Sequence, residues 1–442
     1  MQVVVSQVSY TYPGSKSPAL SNVDFSLSAG EYLAVLGANG SGKSTLARCI
    51  TGLIEPETGF VRITAGGSVP SALVFQSPGD QIVAETVELD TAFGLENLGV
   101  RREKMQADVL RALNQFHLSS RIGDNTASLP TGSKQLLALA GVYVLSSAVM
   151  VLDEPTSMLS PLARDELMDH LDRHHRSGGT IIHITHDRGE VSRAGRVFVM
   201  DGGSVVFDGT PEQLFSVPEP QQESWGISAR FPIKSGDYAA ESVVFCRSIT
   251  EGPLENFSAE FRRGSVIAVT GESGSGKSTL LEILAELRIP ESGTLEKAED
   301  VRTALAVQES EASLFAEFVA DDVAYGPRNS GLTGRPLVDR VAAAMNMVTL
   351  PFETFRDRQT FSLSGGERRK AALAGIIAMD TPVVLLDEPT SGLDVRSRAQ
   401  IMNLVLELRA KGKTVIFTTN REEECGIADQ VVTLNLPEKP RT

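Results

Sequence analysis

Tyr32-Leu-Ala-Val-Leu36 runs straight into Gly37-Ala38-Asn39-Gly40-Ser41-Gly42-Lys43-Ser44-Thr45, and this junction decides the architecture. A short apolar run reads as a buried strand. The G-x-x-x-x-G-K-S that follows, opening a helix, is the context in which such a pattern builds a phosphate-binding loop. Its glycines let backbone N–H groups curl around a β-phosphate, and the helix start adds its positive dipole end. Lys43 is placed to neutralise β- and γ-phosphate oxygens, and Ser44 offers a hydroxyl to Mg²⁺.

The junction occurs twice. Val266–Thr270 leads into Gly271-Glu272-Ser273-Gly274-Ser275-Gly276-Lys277-Ser278-Thr279, which places Lys277 234 residues after Lys43. The acidic sequence Val151-Leu-Asp153-Glu154-Pro-Thr-Ser recurs as Leu385-Leu-Asp387-Glu388-Pro-Thr-Ser, and Asp387 again lies 234 residues after Asp153. Gln76 and Gln308 are 232 apart, so a two-residue indel separates otherwise parallel halves. A fixed offset across many landmarks means duplication. The expected organisation is domain 1 over residues 1–217, a polar, proline-containing linker over 218–240 and domain 2 over 241–442. Trp225, in that linker, reads as a packing anchor. Further buried strands are expected at Val149–Leu152, Thr180–Thr185, Val383–Leu386 and Thr414–Thr419, with helical spacing over Val87–Leu98 and Lys104–Phe116. Strands alternating with helices indicate an α/β fold around a parallel sheet.

Composition narrows the function. With 41 Lys+Arg against 56 Asp+Glu the net charge is −15, unsuited to phosphate backbones, so no nucleic-acid partner is expected. Three cysteines, Cys49, Cys246 and Cys425, have no paired spacing and fit neither a disulfide framework nor a zinc cluster. The first residues lack the basic and apolar regions of a signal peptide, and no apolar run is long enough to span a bilayer. A membrane role would require a partner.

Asp153 and Asp387 each end an apolar strand and would hold Mg²⁺ through its water shell; Glu154 and Glu388 follow directly and can polarise an attacking water. Nucleoside-triphosphate hydrolysis is the expected chemistry. His183 aligns with Phe417 and reads as core, as does Cys49 on the helix after the first loop. The run Glu422-Glu-Glu424 reads as a solvated face.

Other landmarks choose among phosphate-loop proteins. Leu363-Ser364-Gly365-Gly366-Glu367, ahead of a basic helix and about two dozen residues before Asp387, resembles the LSGGQ signature of ABC ATPases. Gln76 and Gln308 resemble that family's Q-loop, which contributes to the nucleotide and metal site. Ser391-Gly-Leu-Asp394 resembles its D-loop, His186 its switch histidine, and Tyr12 the aromatic that stacks on adenine. The resemblance covers essentially the whole chain, twice. It implies two tandem ABC-type domains, each with a RecA-like parallel-sheet core, an antiparallel β subdomain and a helical subdomain. It also implies ATP and Mg²⁺ as ligands, sandwiched between the two halves in an intramolecular dimer.

The stretch Phe75-Gln76-Ser-Pro-Gly-Asp-Gln81, followed by Asp90-Thr-Ala-Phe-Gly94-Leu-Glu-Asn97, looks like the ATPases of energy-coupling-factor importers of cobalt and vitamins. Val319-Ala-Asp-Asp-Val-Ala-Tyr-Gly-Pro-Arg-Asn329 echoes it. That likeness implies an integral-membrane scaffold protein and a substrate-capturing membrane subunit as partners, at the cytoplasmic face of the cell membrane. A tandem sugar-importer ATPase is the alternative; a translation-associated ABC ATPase fits less well, because the linker is short and not basic.

The two halves are not equivalent. At the first signature position stand Leu129-Pro130-Thr131-Gly132-Ser133, and the first D-loop ends in Ser160 where the second has Asp394. Asn420 takes the place of His186, and Tyr12 has no clear counterpart, with Arg247 nearby. In a head-to-tail pair all four departures fall on the site combining the second phosphate loop with the first signature. One competent and one degenerate ATP site are expected.

Overall fold

The computed structural model describes residues 2–15, 17–64, 69–157, 159, 161–229, 231–232, 241–272, 274–308 and 313–435. The chain divides into two compact units, Met1–Ala229 with Asp394–Arg396, and Arg230–Leu393 with Ser397–Thr442.

In the first unit six strands form a sheet in the order Ser71–Val74, Val149–Asp153, Thr180–Ile184, Tyr32–Leu36, Arg196–Asp201, Ser204–Gly209. All adjacent pairs are parallel except the last. Tyr32–Leu36 is buried at every position because both faces are covered. Tyr32, Ala34 and Leu36 join a core with the helical layer, whereas Leu33 and Val35 pack with the helix Lys43–Ile50 and a three-stranded antiparallel sheet. That sheet has the order Leu20–Ser28, Gln2–Tyr10, Thr58–Thr64. Three helices, Val87–Asn97, Arg102–Gln115 and Thr131–Tyr143, pack against one another.

The second unit repeats the plan. Its five parallel strands run Thr303–Ala306, Val383–Leu386, Thr414–Thr418, Val266–Gly271, Gln430–Leu434. An antiparallel sheet in the order Leu254–Arg262, Ser242–Glu251, Ser292–Lys297 and the helices Val319–Asn329, Gly334–Met347 and Gly365–Ala378 complete it. Each predicted strand and helix is present within a residue or two of its expected bounds, since a strand buried on both faces is a continuous apolar run.

Two features depart from the sequence-based expectations. The polar stretch after residue 217 carries a helix, Glu219–Ser224, in which Gln222 is buried, while Trp225 is the packing anchor expected, its ring centroid 5.9 Å from that of Phe207. Glu424 is not solvated: it is fully buried and accepts hydrogen bonds from Thr390 and Thr419 at 2.9 and 2.6 Å. Its charge run is amphipathic, with one acid turned inward to buried hydroxyls.

Both antiparallel sheets contain a matching irregularity. Gln7 and Ser248 adopt positive φ (51° and 49°) at register shifts. Gly59 and Gly293 close against them so tightly that a Cβ would meet the Ser6 carbonyl oxygen at 2.2 Å and that of Ser248 at 2.4 Å. Both glycines are themselves left-handed, at 78° and 89°. Replacing Gly293 by alanine should therefore destabilise the chain by about 1–3 kcal/mol, from strain plus overpacking. Thermal unfolding followed by circular dichroism measures it.

Candidate functional site

The first phosphate loop is built by local constraint. Gly37 has φ 147°, and a Cβ there would lie 2.2 Å from the Met200 carbonyl oxygen; Gly42 caps the helix at φ 101°. The helix Lys43–Ile50 thus begins without a side-chain cap, its first amides facing the loop. Lys43 is buried and donates from Nζ to the Gly37 and Ala38 carbonyls at 2.8 and 2.9 Å. Burial lowers its pKa, against the opposing pull of Glu154 and Asp153. Ser41 Oγ is buried without a hydrogen-bond partner. An orphaned hydroxyl, a buried ammonium and uncapped amides around a loop with no room for a side chain at Gly37 or Gly42 fit a bound phosphate chain. Asn39 and Gly40 are exposed on the same loop, and Ser44 and Thr45 form the first helical turn. Tyr12 reaches this turn, its hydroxyl 3.3 Å from both Thr45 Oγ1 and Arg48 Nη1.

The next strand but one, Val149–Asp153, delivers the acids. Burial raises the pKa of Asp153, against a hydrogen bond from Ser44. Glu154 sits at φ 50°, a conformation that non-glycine residues rarely adopt and that recurs where function constrains the backbone. Gln76 Nε2 donates to Glu154 Oε2 at 3.0 Å, and His186 Nε2 lies 2.7 Å from Glu154 Oε1. Burial alone would push the Glu154 carboxyl up; the His186 hydrogen bond and charge, with Lys43 and Gln76, outweigh it and hold the pKa below the ordinary value. The carboxylate is ionised and aimed. His183, on the strand Thr180–Ile184 that leads to His186, is fully buried, with Nδ1 2.9 Å from the Tyr32 hydroxyl, and Cys49 is packed in the core with its thiol pushed up to about 11 by burial.

The second unit shares the frame. Gly271 (φ 151°) and Gly276 (φ 93°) shape the loop, Lys277 Nζ donates to the carbonyls of Gly271 and Glu272 at 2.8 and 3.0 Å, and Ser275 Oγ is again buried and unpartnered. Gly274, Ser278 and Thr279 take the places of Gly40, Ser44 and Thr45, while Ser273 lies outside the described residues, as does Ser160. Glu388 also has positive φ, 43°. Gln308 Nε2 donates to its Oε2 at 3.1 Å, but the other oxygen takes an amide from Asn420 at 3.2 Å in place of an imidazole. Burial raises the pKa of Glu388, only partly opposed by Lys277. Asp387 accepts from Thr418 Oγ1 at 2.7 Å.

The family profile of the ABC transporters matches residues 20–157 and again residues 254–391. The chain belongs to the ABC transporter family. It is an ABC ATPase with two ATP-binding domains in tandem. An ABC transporter ATP-binding protein of Bifidobacterium longum is 33% identical over 97% of this chain, which spans 64% of that longer relative. A Bacillus subtilis protein named for HMP/thiamine import is 28% identical over 98% of this chain and 90% of its own length. An energy-coupling factor transporter ATP-binding protein of Geobacillus kaustophilus is 38% identical over 54% of this chain and 90% of its own.

In this ABC ATPase the second signature segment starts the helix Gly365–Ala378 with a complete capping box: Ser364 Oγ accepts from the Glu367 amide, and Glu367 Oε2 accepts from the Ser364 amide at 2.8 Å. Gly365 and Gly366 have open space around them. The first signature helix, Thr131–Tyr143, instead has Pro130 at its cap and no side-chain cap hydrogen bond. Asp394 immediately precedes the helix Val395–Ala410. Sequence reasoning missed Arg369, which donates to the Glu388 and Ser391 carbonyls at 2.8 and 2.5 Å. It also missed a pair of buried acids, Glu190 and Glu424. Glu190 binds Thr185 Oγ1 and Arg164, and Arg164 in turn holds Asp187 beside His186 at 2.5 Å. Their constant offset of 234 residues was the available signal.

Opposite shifts of the two glutamates have opposite thermodynamic consequences. A depressed folded pKa stabilises above the ordinary glutamate value of about 4.3 and is lost on acidification below it; a raised one costs stability as pH climbs past that value. In the nucleotide-free chain, Glu154→Gln should lower the melting temperature at pH 7, and Glu388→Gln should raise it. The Glu388→Gln difference should fade as pH falls to about 4, whereas the Glu154→Gln difference should begin to shrink only there and vanish on further acidification, as followed by calorimetry across that range.

Proposed function

We propose that this chain is the ATP-hydrolysing subunit of an energy-coupling-factor-type importer of a vitamin, a vitamin precursor or a transition-metal ion. What carries the proposal is the pair of strand–loop–helix phosphate sites, each with an acid pair beside it, in a chain related to importer ATPases. The HMP/thiamine and energy-coupling-factor relatives support this reading of the substrate class.

At the first site, Lys43 and the loop amides bind the β- and γ-phosphates of ATP, and Tyr12 takes the adenine. Ser44, Gln76 and Asp153 supply hard oxygen donors of the kind Mg²⁺ takes alongside phosphate and water. Bound Mg²⁺ would neutralise charge on the phosphate oxygens. Glu154, ionised and held between Gln76 and His186, polarises the water that attacks the γ-phosphorus. At the second site, Lys277, Ser278, Gln308, Asp387 and Glu388 have the corresponding roles. As the family resemblance implies, the two halves pair head to tail. Ser364, Gly365, Gly366, Glu367 and Asp394 then complete the first site, and the segment around Pro130 faces the second. The first site is therefore competent and the second degenerate. The loss of the cap at Pro130 and the raised pKa of Glu388 support this assignment.

Among the described residues no helix is long and apolar enough to cross a membrane. The chain works peripherally at the cytoplasmic face, through a helical scaffold protein that accompanies a substrate-capturing subunit. The docking surface proposed is the segment after Gln76. There a groove of about 340 Å³ is lined by Phe75, Val83, Phe93 and Leu145, and Val83, Leu89 and Phe93 are exposed. Asp90 accepts from the Val83 and Ala84 amides at 2.8 and 3.0 Å, and Asp322 holds Phe315 and Ala316 in the same way. These acids shape the surface, leaving the apolar residues to make the contact.

Two measurements test the proposal. In the assembled complex Glu154→Gln should cut steady-state ATPase activity about a hundredfold or more, as should Lys43→Ala, and Glu388→Gln should cut it by only a few-fold. Equal losses, or the reverse order, would overturn the assignment. Phe93→Asp should abolish recovery of the chain with the membrane fraction and leave its melting temperature within a few degrees of wild type.

A further inference from the structure

After the helix Glu219–Ser224 the chain turns at Gly226, whose φ of 71° is left-handed. A Cβ at this position would lie 2.7 Å from the Ala38 Cβ and 3.3 Å from its Cα. Backbone therefore presses directly on the phosphate loop, at the residue whose carbonyl holds the Lys43 ammonium.

The same short stretch also reaches the switch segment. Gln222 is buried, donates from Nε2 to the Val217 carbonyl at 2.7 Å and accepts from Arg188 Nη1 at 3.4 Å. Arg188 begins the helix that Asp187, the residue after His186, caps with its side chain. Its guanidinium lies over the Phe215 ring, 4.5 Å from the centroid. Trp225 and Ile227 anchor the stretch in the hydrophobic core. At the corresponding position of the second phosphate loop, Glu272 is exposed.

We propose that residues 222–227 are a positioning strut for the first nucleotide site, bracing the phosphate loop at Ala38 and the switch turn at Arg188. The strut touches neither phosphate nor water; it acts by limiting where the Gly37–Gly42 backbone can move. The proposal rests on that loop being an ATP site. Glycine is required at 226 both for its φ and for the approach to Ala38, and these two demands can be separated. Asparagine tolerates left-handed backbone far better than alanine, but carries the same Cβ.

The test uses the full chain carrying Lys277→Ala, so that calorimetric titration with Mg²⁺ and a non-hydrolysable ATP analogue reports the first site. Gly226→Ala and Gly226→Asn should each weaken binding about tenfold, the order expected when binding groups are misplaced by a fraction of an ångström. Adding Ala38→Gly, which makes room for the new Cβ, should restore most of the loss in both. Unchanged affinity in Gly226→Ala and Gly226→Asn would overturn the strut, as would a loss that Ala38→Gly leaves in place or one confined to the alanine variant. No binding by the Lys277→Ala parent would instead overturn the ATP site on which the strut rests.

Discussion

Each phosphate loop of this protein is closed by its own lysine. Burying an ammonium is unfavourable unless oxygens surround it, and here two carbonyls of the same loop do so, those of Gly37 and Ala38 for Lys43 and of Gly271 and Glu272 for Lys277. The arrangement requires carbonyls that turn inward while the amides of the loop and first helical turn point outward. That demands the unusual backbone of Gly37 and Gly271, pressed against the Met200 and Leu434 carbonyls. The strand before the loop, the strand beside it and the helix after it are all placed by this closure. The acid pairs arrive on the next strand but one, so that their carboxyls share the neighbourhood of the lysine.

On this common frame the two glutamates are shifted in opposite directions. Glu154 and Glu388 both have positive φ and a glutamine partner, and Glu388 is the less buried of the two. They differ in what meets the second carboxylate oxygen, an imidazole in one case and an amide in the other. An imidazole can become cationic and an amide cannot, so burial is overcome at Glu154 and prevails at Glu388. The capping box at Ser364 and its absence at Pro130 form a second contrast of this kind. A shared backbone with divergent polar partners is how a duplicated domain keeps its fold while its two copies diverge in chemistry.

The residues that hold the switch region are buried and charged. Glu190, with Arg164 and Thr185, and Glu424, with Arg398 and Thr419, form matching networks behind His186 and Asn420. Such groups are expensive to bury unpaired, and once paired they fix the geometry of the turn they support.

The sequence by itself determined the duplicated α/β plan, the phosphate loops and the acid pairs, because each is a local pattern: a short apolar run, glycines at fixed spacing, an acid ending a buried strand. It also located His186 and Asn420, through the constant offset between halves. Tertiary structure decided what depends on approach between distant segments. Glu424 looked solvated in a run of three acids, yet it is enclosed by hydroxyls from Thr390 and Thr419. Arg369 looked like part of a basic helix, yet it holds the Glu388 and Ser391 carbonyls. The polar stretch after residue 217 had the composition of a linker, yet Trp225 and Ile227 tie it to the core and set Gly226 against Ala38. Composition records the average solvation of a segment, whereas burial of one side chain in it depends on which surface the chain happens to cross.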